Sequence, residues 1–254
     1  MSSPALHLPA VMGHRGAAGR APENTLAGFR RAAALGVTWV ELDVRLTADG
    51  VALLSHDESL TRATGLRRKI GHVRYVDIAR LDAGAWFDPA FRGESLPTLV
   101  QALDLLAQLK IGVNIELKRH IGQEERVVHT VAAALAAAWS TALPPPLMSS
   151  FDPAMVAAAK RVLPGLPRAL IADRLPRNWQ TLAGSLACFS LHLNWRSASK
   201  ERVLALHEAG YAVGVYTVND LTVAHELWSR GVDCIITDRP DLMLAACVAA
   251  EVRR

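Results

Sequence analysis

Two histidines, four acids and two cations stand at regular places in the first half of this chain: His14-Arg15-Gly16, Glu41-x-Asp43, His56-Asp57 and Glu116-x-Lys118. Each group falls at or just past the end of an apolar run, and Pro22-Glu23-Asn24-Thr25 lies between the first two. Carboxylates gathered at one place repel unless something positive sits among them, so Glu41, Asp43 and Glu116 together ask for a divalent cation. An all-oxygen set without cysteine points to magnesium, calcium or manganese rather than zinc. His14 and His56 beside such a cation look like proton-transfer chemistry on a phosphate, because imidazole gives and takes a proton near neutral pH. Arg15 offers a fork of donors to a phosphate oxygen, or else neutralises the acids, and Lys118 carries the same two readings. Asp57 reads as the residue that orients the His56 loop, and Glu23 as a support for His14 or Arg15. Gly13, Gly16 and Gly19 make neither a P-loop nor a GxGxxG, so a nucleotide site has no support.

These residues need a frame that brings strand ends together. Side chains two apart on a strand share a face, so Glu41 pairs with Asp43 and Glu116 with Lys118. Short apolar or β-branched runs alternate with stretches of helical period, the mark of βαβ units. The expected strands are 10–14, 39–44, 111–117, 147–150, 168–172, 188–193, 212–217 and 234–237. Helices are expected to begin near Thr25, Leu99, Gln123, Pro153, Arg177, Lys200, Asp220 and Pro240, with Asn24 or Thr25, Asp152, Asn219 or Asp220, and Asp238 as caps. Eight such repeats close most economically as a TIM (β/α)8 barrel, whose active site lies at the carboxyl ends of the strands. The interval after the second strand is too long for one unit. It reads as a hairpin strand, 51–55, and then a small insertion over about 58–97 within a single domain spanning 1–254.

Length and composition agree: the chain has 254 residues, and such barrels need about 250. With 51% hydrophobic and 20% charged residues it can bury a sizeable core. The net charge of +4 is mild and the arginines are scattered, so nucleic-acid binding is not implied, although a basic surface suits a small anionic substrate. Cys188, Cys234 and Cys247 have no metal or CxxC spacing and read as reduced, half-buried thiols in a reducing compartment. The segment 1–10 has no basic start or long apolar run, and no stretch is long enough to span a membrane. A soluble, cytoplasmic protein is expected.

In series, HRG, PENTLAGF, E-x-D-V-x-L-T-x-D-G, HD, IELK, SSF, YTVN and GVDCIITDRP resemble the glycerophosphodiester phosphodiesterases. The resemblance runs from about Val11 to Pro240, and LHLN, YTVN and DAGAWF are similar to bacterial cytoplasmic members. It implies a TIM barrel with a small insertion, a divalent metal on Glu41, Asp43 and Glu116, and His14 and His56 as the acid/base pair. It also implies substrate contacts from Arg15, Lys118 and Tyr216. The activity so implied is hydrolysis of a glycerophosphodiester to sn-glycerol 3-phosphate and an alcohol. One rival is a phospholipase-type phosphodiesterase acting on lysophospholipids or phosphoinositides. It would need an interfacial apolar surface, and Trp86, Phe87 and Phe91, the only candidates, read more simply as the insertion's own small core. The other rival is a non-catalytic barrel that binds glycerol phosphates, which has no use for two titrating histidines beside a metal.

Overall fold

The strands carry apolar side chains on one face and a mixed set on the other, and the two faces meet different surroundings. In the computed structural model, which describes residues 7–251, the strands are β1 (Val11–Gly13), β2 (Trp39–Leu46), β3 (Ala52–Leu54), β4 (Gly112–Leu117), β5 (Leu147–Ser150), β6 (Arg168–Ala172), β7 (Ser190–Asn194), β8 (Ala212–Tyr216) and β9 (Cys234–Thr237). All except β3 are parallel and run β1-β2-β4-β5-β6-β7-β8-β9, with β9 paired back onto β1. This is a closed eight-stranded barrel with helices between its strands. β3 lies antiparallel on the far end of β2, matching Val44 with Leu54 and Leu46 with Ala52, which carries β2 two residues past its expected end. The reading of the first residues as free of a leader rests partly on 1–6, outside the described residues.

Helix starts follow local chemistry. Thr25, not Asn24, caps the Leu26–Ala34 helix by accepting from the Gly28 N–H. Thr98 and Gln101 form a reciprocal capping box before Leu99–Leu109. Asp152 caps Pro153–Val162, with the proline where its missing N–H costs nothing, and Asp220 caps Leu221–Ser229. Asp238 is the exception, for its carboxylate is taken up by His14 and Asn219. Among the described residues no helix is long and apolar enough to cross a membrane.

Outward side chains of β2 and β4 (Val40, Leu42, Val44, Val113, Ile115 and Leu117) pack on the helices Leu26–Ala34, Leu99–Leu109 and Glu124–Ala138. Leu191, Leu193, Val213, Val215 and Ile235 do the same for the second half. Burying one such side chain stabilises by roughly 1.5–3 kcal/mol. The outer face therefore sustains the fold and lets the inner face keep groups that cost stability. Inside, Met12, Trp39, Leu147, Ala169, Cys234 and Ile236 form an apolar plug near the strand starts. Gly112 makes room for it, since a Cβ there would lie 2.4 Å from the Trp39 indole. Cys234 is thus fully buried rather than half-buried, and burial drives its thiol pKa up.

The segment 58–97 carries short helical turns at Thr61–Thr64, Ile70–His72, Tyr75–Ile78 and Pro89–Phe91. Its buried centre is aliphatic (Leu60, Ile70, Ile78, Ala83 and Leu96 against Leu53 of β3), not the expected aromatic trio. Trp86, Phe87 and Phe91 stack edge to face on one another, and Trp86 is 43% exposed.

Candidate active site

Above the Trp39 plug, Glu41, Asp43 and then Arg45 follow on the same face of β2, and Asn114 and Glu116 occupy the inner face of β4. The register sets Asp43 beside Glu116 and Glu41 beside Asn114. Glu41 and Asp43 are thus mid-strand rather than at its end, because β2 continues into the hairpin. One oxygen from each of Glu41, Asp43 and Glu116 lies within 4.8 Å of the others, and these residues are only 3%, 1% and 8% exposed.

Three buried carboxylates face two cations. Lys118 Nζ lies 2.7 Å from Asp43 and also donates to Glu116. Arg15 sets its Nε 3.1 Å from Asp43 and donates its backbone N–H to Glu41 at 3.0 Å. Arg15 does this from a left-handed backbone, φ 49°, uncommon for a residue with a side chain. Asn24 fixes Asp43 from both sides, its amide donating to the carboxylate and its carbonyl accepting the Asp43 N–H.

One negative charge remains in excess, and Glu41 bears the cost. Burial, then the Asp43 carboxylate, pushes its pKa up to about 8. Burial acts on Asp43 in the same sense, but Lys118 and Arg15 outweigh it and hold that carboxyl well below the usual range. Glu116 is raised by burial and by Asp43. Glu41 Oε1 has no hydrogen-bond partner among the described residues. A hard divalent cation takes oxygen ligands at about 2.0–2.6 Å, so opposed ligands lie roughly 4–5 Å apart. The oxygen-only set, its spacing and the orphaned Oε1 fit such an ion.

The two histidines are held alike. His14 Nδ1–H donates to Asp238 at 2.6 Å, and its Nε2 sits 3.9 Å from Glu41. His56 Nδ1–H donates to Asp57 at 2.8 Å. Their surroundings push them apart. Burial lowers the His14 pKa, but the Asp238 hydrogen bond and the Glu41 charge outweigh it and leave the value raised. For His56, burial and then the Lys118 charge prevail, and the value is lowered.

Arg62 ties these loops together. It donates to both Glu23 oxygens and to Asp57, each at 2.7 Å, while Glu23 accepts from Arg15 at 2.9 Å. Glu23 thus supports Arg15 as expected, and Asp57 holds the His56 ring.

His14, Arg15, Glu41, His56, Glu116 and Tyr216 line one cavity of about 240 Å³. Asp43 stays behind its wall, and Lys118 opens onto a neighbouring cleft. Tyr216 donates its hydroxyl to Asp173, and burial, then that carboxylate, raises its pKa so that the phenol stays neutral. Asn114 and His192 also line the cavity, beside Phe151, Ile171, Thr217 and Ile236. Neither Asn114 amide atom has a protein partner among the described residues, and burial keeps His192 neutral by lowering its pKa to about 4. Sequence reading missed Asp238, Arg62, Asn114 and His192. Asp238 follows a strand end, as His14 and Lys118 do, and His192 is an inner-face position of LHLN, so both left a positional signal.

The family model described as "Glycerophosphoryl diester phosphodiesterase family" matches residues 14–242. The chain belongs to the glycerophosphoryl diester phosphodiesterase family. Among relatives in that family, a glycerophosphodiester phosphodiesterase of Caldanaerobacter subterraneus is 31% identical, over 92% of this chain and 96% of its own. One of Bacillus altitudinis is 30% identical, over 91% and 95%. Among solved structures, an Oleispira antarctica phosphodiesterase in complex with the product sn-glycerol-3-phosphate superposes with a TM-score of 0.92 at 34% identity, covering 94% of this chain and 97% of that one.

Proposed function

We propose that this phosphoric diester hydrolase cleaves glycerophosphodiesters to sn-glycerol 3-phosphate and an alcohol, using a divalent cation on Glu41, Asp43 and Glu116 and proton exchange by His14 and His56. The supporting observation is one small cavity in which two carboxylate-anchored imidazoles flank a buried, over-charged acid cluster. The product held by the Oleispira antarctica protein supports the glycerol phosphate reading. Cysteines without metal or pair spacing suit a reducing, cytoplasmic setting.

A cation bound there would stabilise charge growing on the phosphoryl group and orient substrate oxygens. Arg15, ion-paired with Asp43 and donating Nη1 to Glu23, would offer Nη2 to a phosphoryl oxygen. Lys118 has one proton left after Asp43 and Glu116 and offers it from the cleft side. Asn114 and His192 present neutral polar atoms to glycerol hydroxyls, and the Tyr216 ring flanks the carbon chain.

His56 lines both the enclosed cavity and the open cleft, whereas His14 lines only the cavity. His56 therefore protonates the departing alkoxide, which leaves through the cleft. His14 takes the proton of the nucleophile, either water itself or the neighbouring glycerol hydroxyl, whose cyclic phosphate water then opens to glycerol 3-phosphate. Their opposite shifts favour this division, since the raised value makes His14 the stronger base and the lowered one makes protonated His56 the stronger acid. The test is release of glycerol 3-phosphate from glycerophosphocholine and glycerophosphoethanolamine. Phosphate monoesters should be poor substrates, and rapid release of inorganic phosphate from glycerol 3-phosphate would mark a phosphatase instead.

The histidine pair works while holding one proton, and that state is lost on the alkaline side once the higher of the two values, that of His14, is passed. Asp238→Asn removes the largest influence that raises His14. The alkaline limb of kcat/KM should move to lower pH, with a loss of rate of roughly 10²-fold from the freed imidazole. A limb that stays put would remove Asp238 from the mechanism.

A further inference from the structure

A second recess opens beside the catalytic cavity and shares His56, Glu116 and Phe151 with it. This cleft, of about 560 Å³, is also lined by Arg45, Lys118 and Arg119. Two of these cations are matched, Lys118 by Asp43 and Glu116, and Arg119 by Asp152 at 3.2 Å. Arg45 is not. Its Nε and Nη2 donate to one neutral acceptor, the His56 carbonyl, at 3.0 and 2.8 Å, and it has no carboxylate within ion-pair distance among the described residues. Its Nη1 has no partner there either. Arg45 stands two residues beyond Asp43 on the same strand face, so its fork lies toward the lip of the barrel, outside the acid cluster. Asp43, Glu58, Glu116 and Asp57 act on it only through space, and burial outweighs them. A partly desolvated guanidinium with no carboxylate in contact costs stability that an anion arriving in the cleft would offset.

We propose that this cleft holds the headgroup side of the diester and that Arg45 selects headgroups bearing an anionic oxygen group. This rests on the reading of the enzyme as a glycerophosphodiesterase. With the phosphoryl group between His14 and His56 and glycerol in the enclosed cavity, the departing alcohol passes His56 into the cleft. There the Phe151 ring flanks its carbons, and Arg45 Nη1 meets a carboxylate or phosphate at its far end.

Glycerophosphoserine and glycerophosphoethanolamine differ by one carboxylate, so the ratio of their kcat/KM values isolates the contact from any shared effect on the His56 loop. The wild type should favour the serine diester by about tenfold, the worth of one charge-assisted hydrogen bond. Arg45→Gln should lower that ratio by about tenfold, whatever it does to both rates, and Arg45→Lys should restore part of it. If the wild type cleaves both diesters equally, or if the ratio survives Arg45→Gln, the headgroup assignment is wrong while the enzymatic reading stands. If neither diester is cleaved in the presence of magnesium, calcium or manganese, the enzymatic reading itself fails and this assignment falls with it.

Discussion

His56→Ala should lose roughly 10³–10⁴-fold in ethanolamine or choline release, the upper range for a general acid or base, while retaining much more of its rate on a p-nitrophenyl phosphodiester. An alkoxide leaving group needs a proton as the P–O bond breaks, whereas p-nitrophenolate is stable without one. His14→Ala should lose both activities alike, because the nucleophile must be activated whichever group departs. Both variants keep the strand pairing, since neither ring belongs to the apolar plug or the outer layer. Steady-state rates on the two substrates decide the matter. Equal ratios of loss in the two variants would remove the division of labour, and the reverse pattern would exchange the roles.

Exhaustive chelation should abolish turnover, and magnesium, calcium or manganese should restore it. Glu41→Gln, Asp43→Asn and Glu116→Gln should each lower activity by orders of magnitude. The Glu41 carboxyl adds a signature that does not depend on activity. Its pKa rises from 4.5 to about 8 on folding, so between those values the folded protein binds more protons than the unfolded chain. The cation-free protein should therefore lose stability as pH climbs through that window. An ion binding there must displace the proton, so its affinity should fall as pH drops below about 8, and binding should release acid into weak buffer. A cation at 100 times its Kd adds about 2.7 kcal/mol to stability, readable as a rise in Tm. Glu41→Gln should lose both the pH slope and most of that rise. Full activity after chelation would contradict the assignment, as would a Glu41→Gln protein whose Tm still climbs normally with added ion.

The barrel was legible because alternation along each strand is local. Residues two apart share a face, so Glu41, Asp43, Glu116 and Lys118 declared their common side before any contact was known. The partners that tune them were not legible in that way. Asp238 lies 224 residues from His14, and its place before a helix argued for a cap. Arg62 reaches Glu23 across 39 residues from a segment with no periodic pattern. Asn24 looked like one of two candidate caps for the first helix, and only the fold shows Thr25 capping while Asn24 holds Asp43. The aromatic trio misled because aromatic residues near a polar stretch suggest a core, while the aliphatic residues spread through the same segment supplied it.

The barrel closes between β1 and β2 through a single register pair, Gly13 with Val40, whereas β2 and β4 share a ladder from Trp39 to Val44. Past that pair the closure is carried by side chains, with the Arg15 N–H on Glu41 and the Asn24 amide on Asp43. The groups proposed to hold the cation are therefore also the clasp of the cylinder. On the proposed function, closing this seam also completes the catalytic centre, so a chain paired from β2 through β9 with β1 undocked should be inert. In hydrogen exchange the amides of β1 should open ahead of those of β4, and a bound cation should slow them selectively.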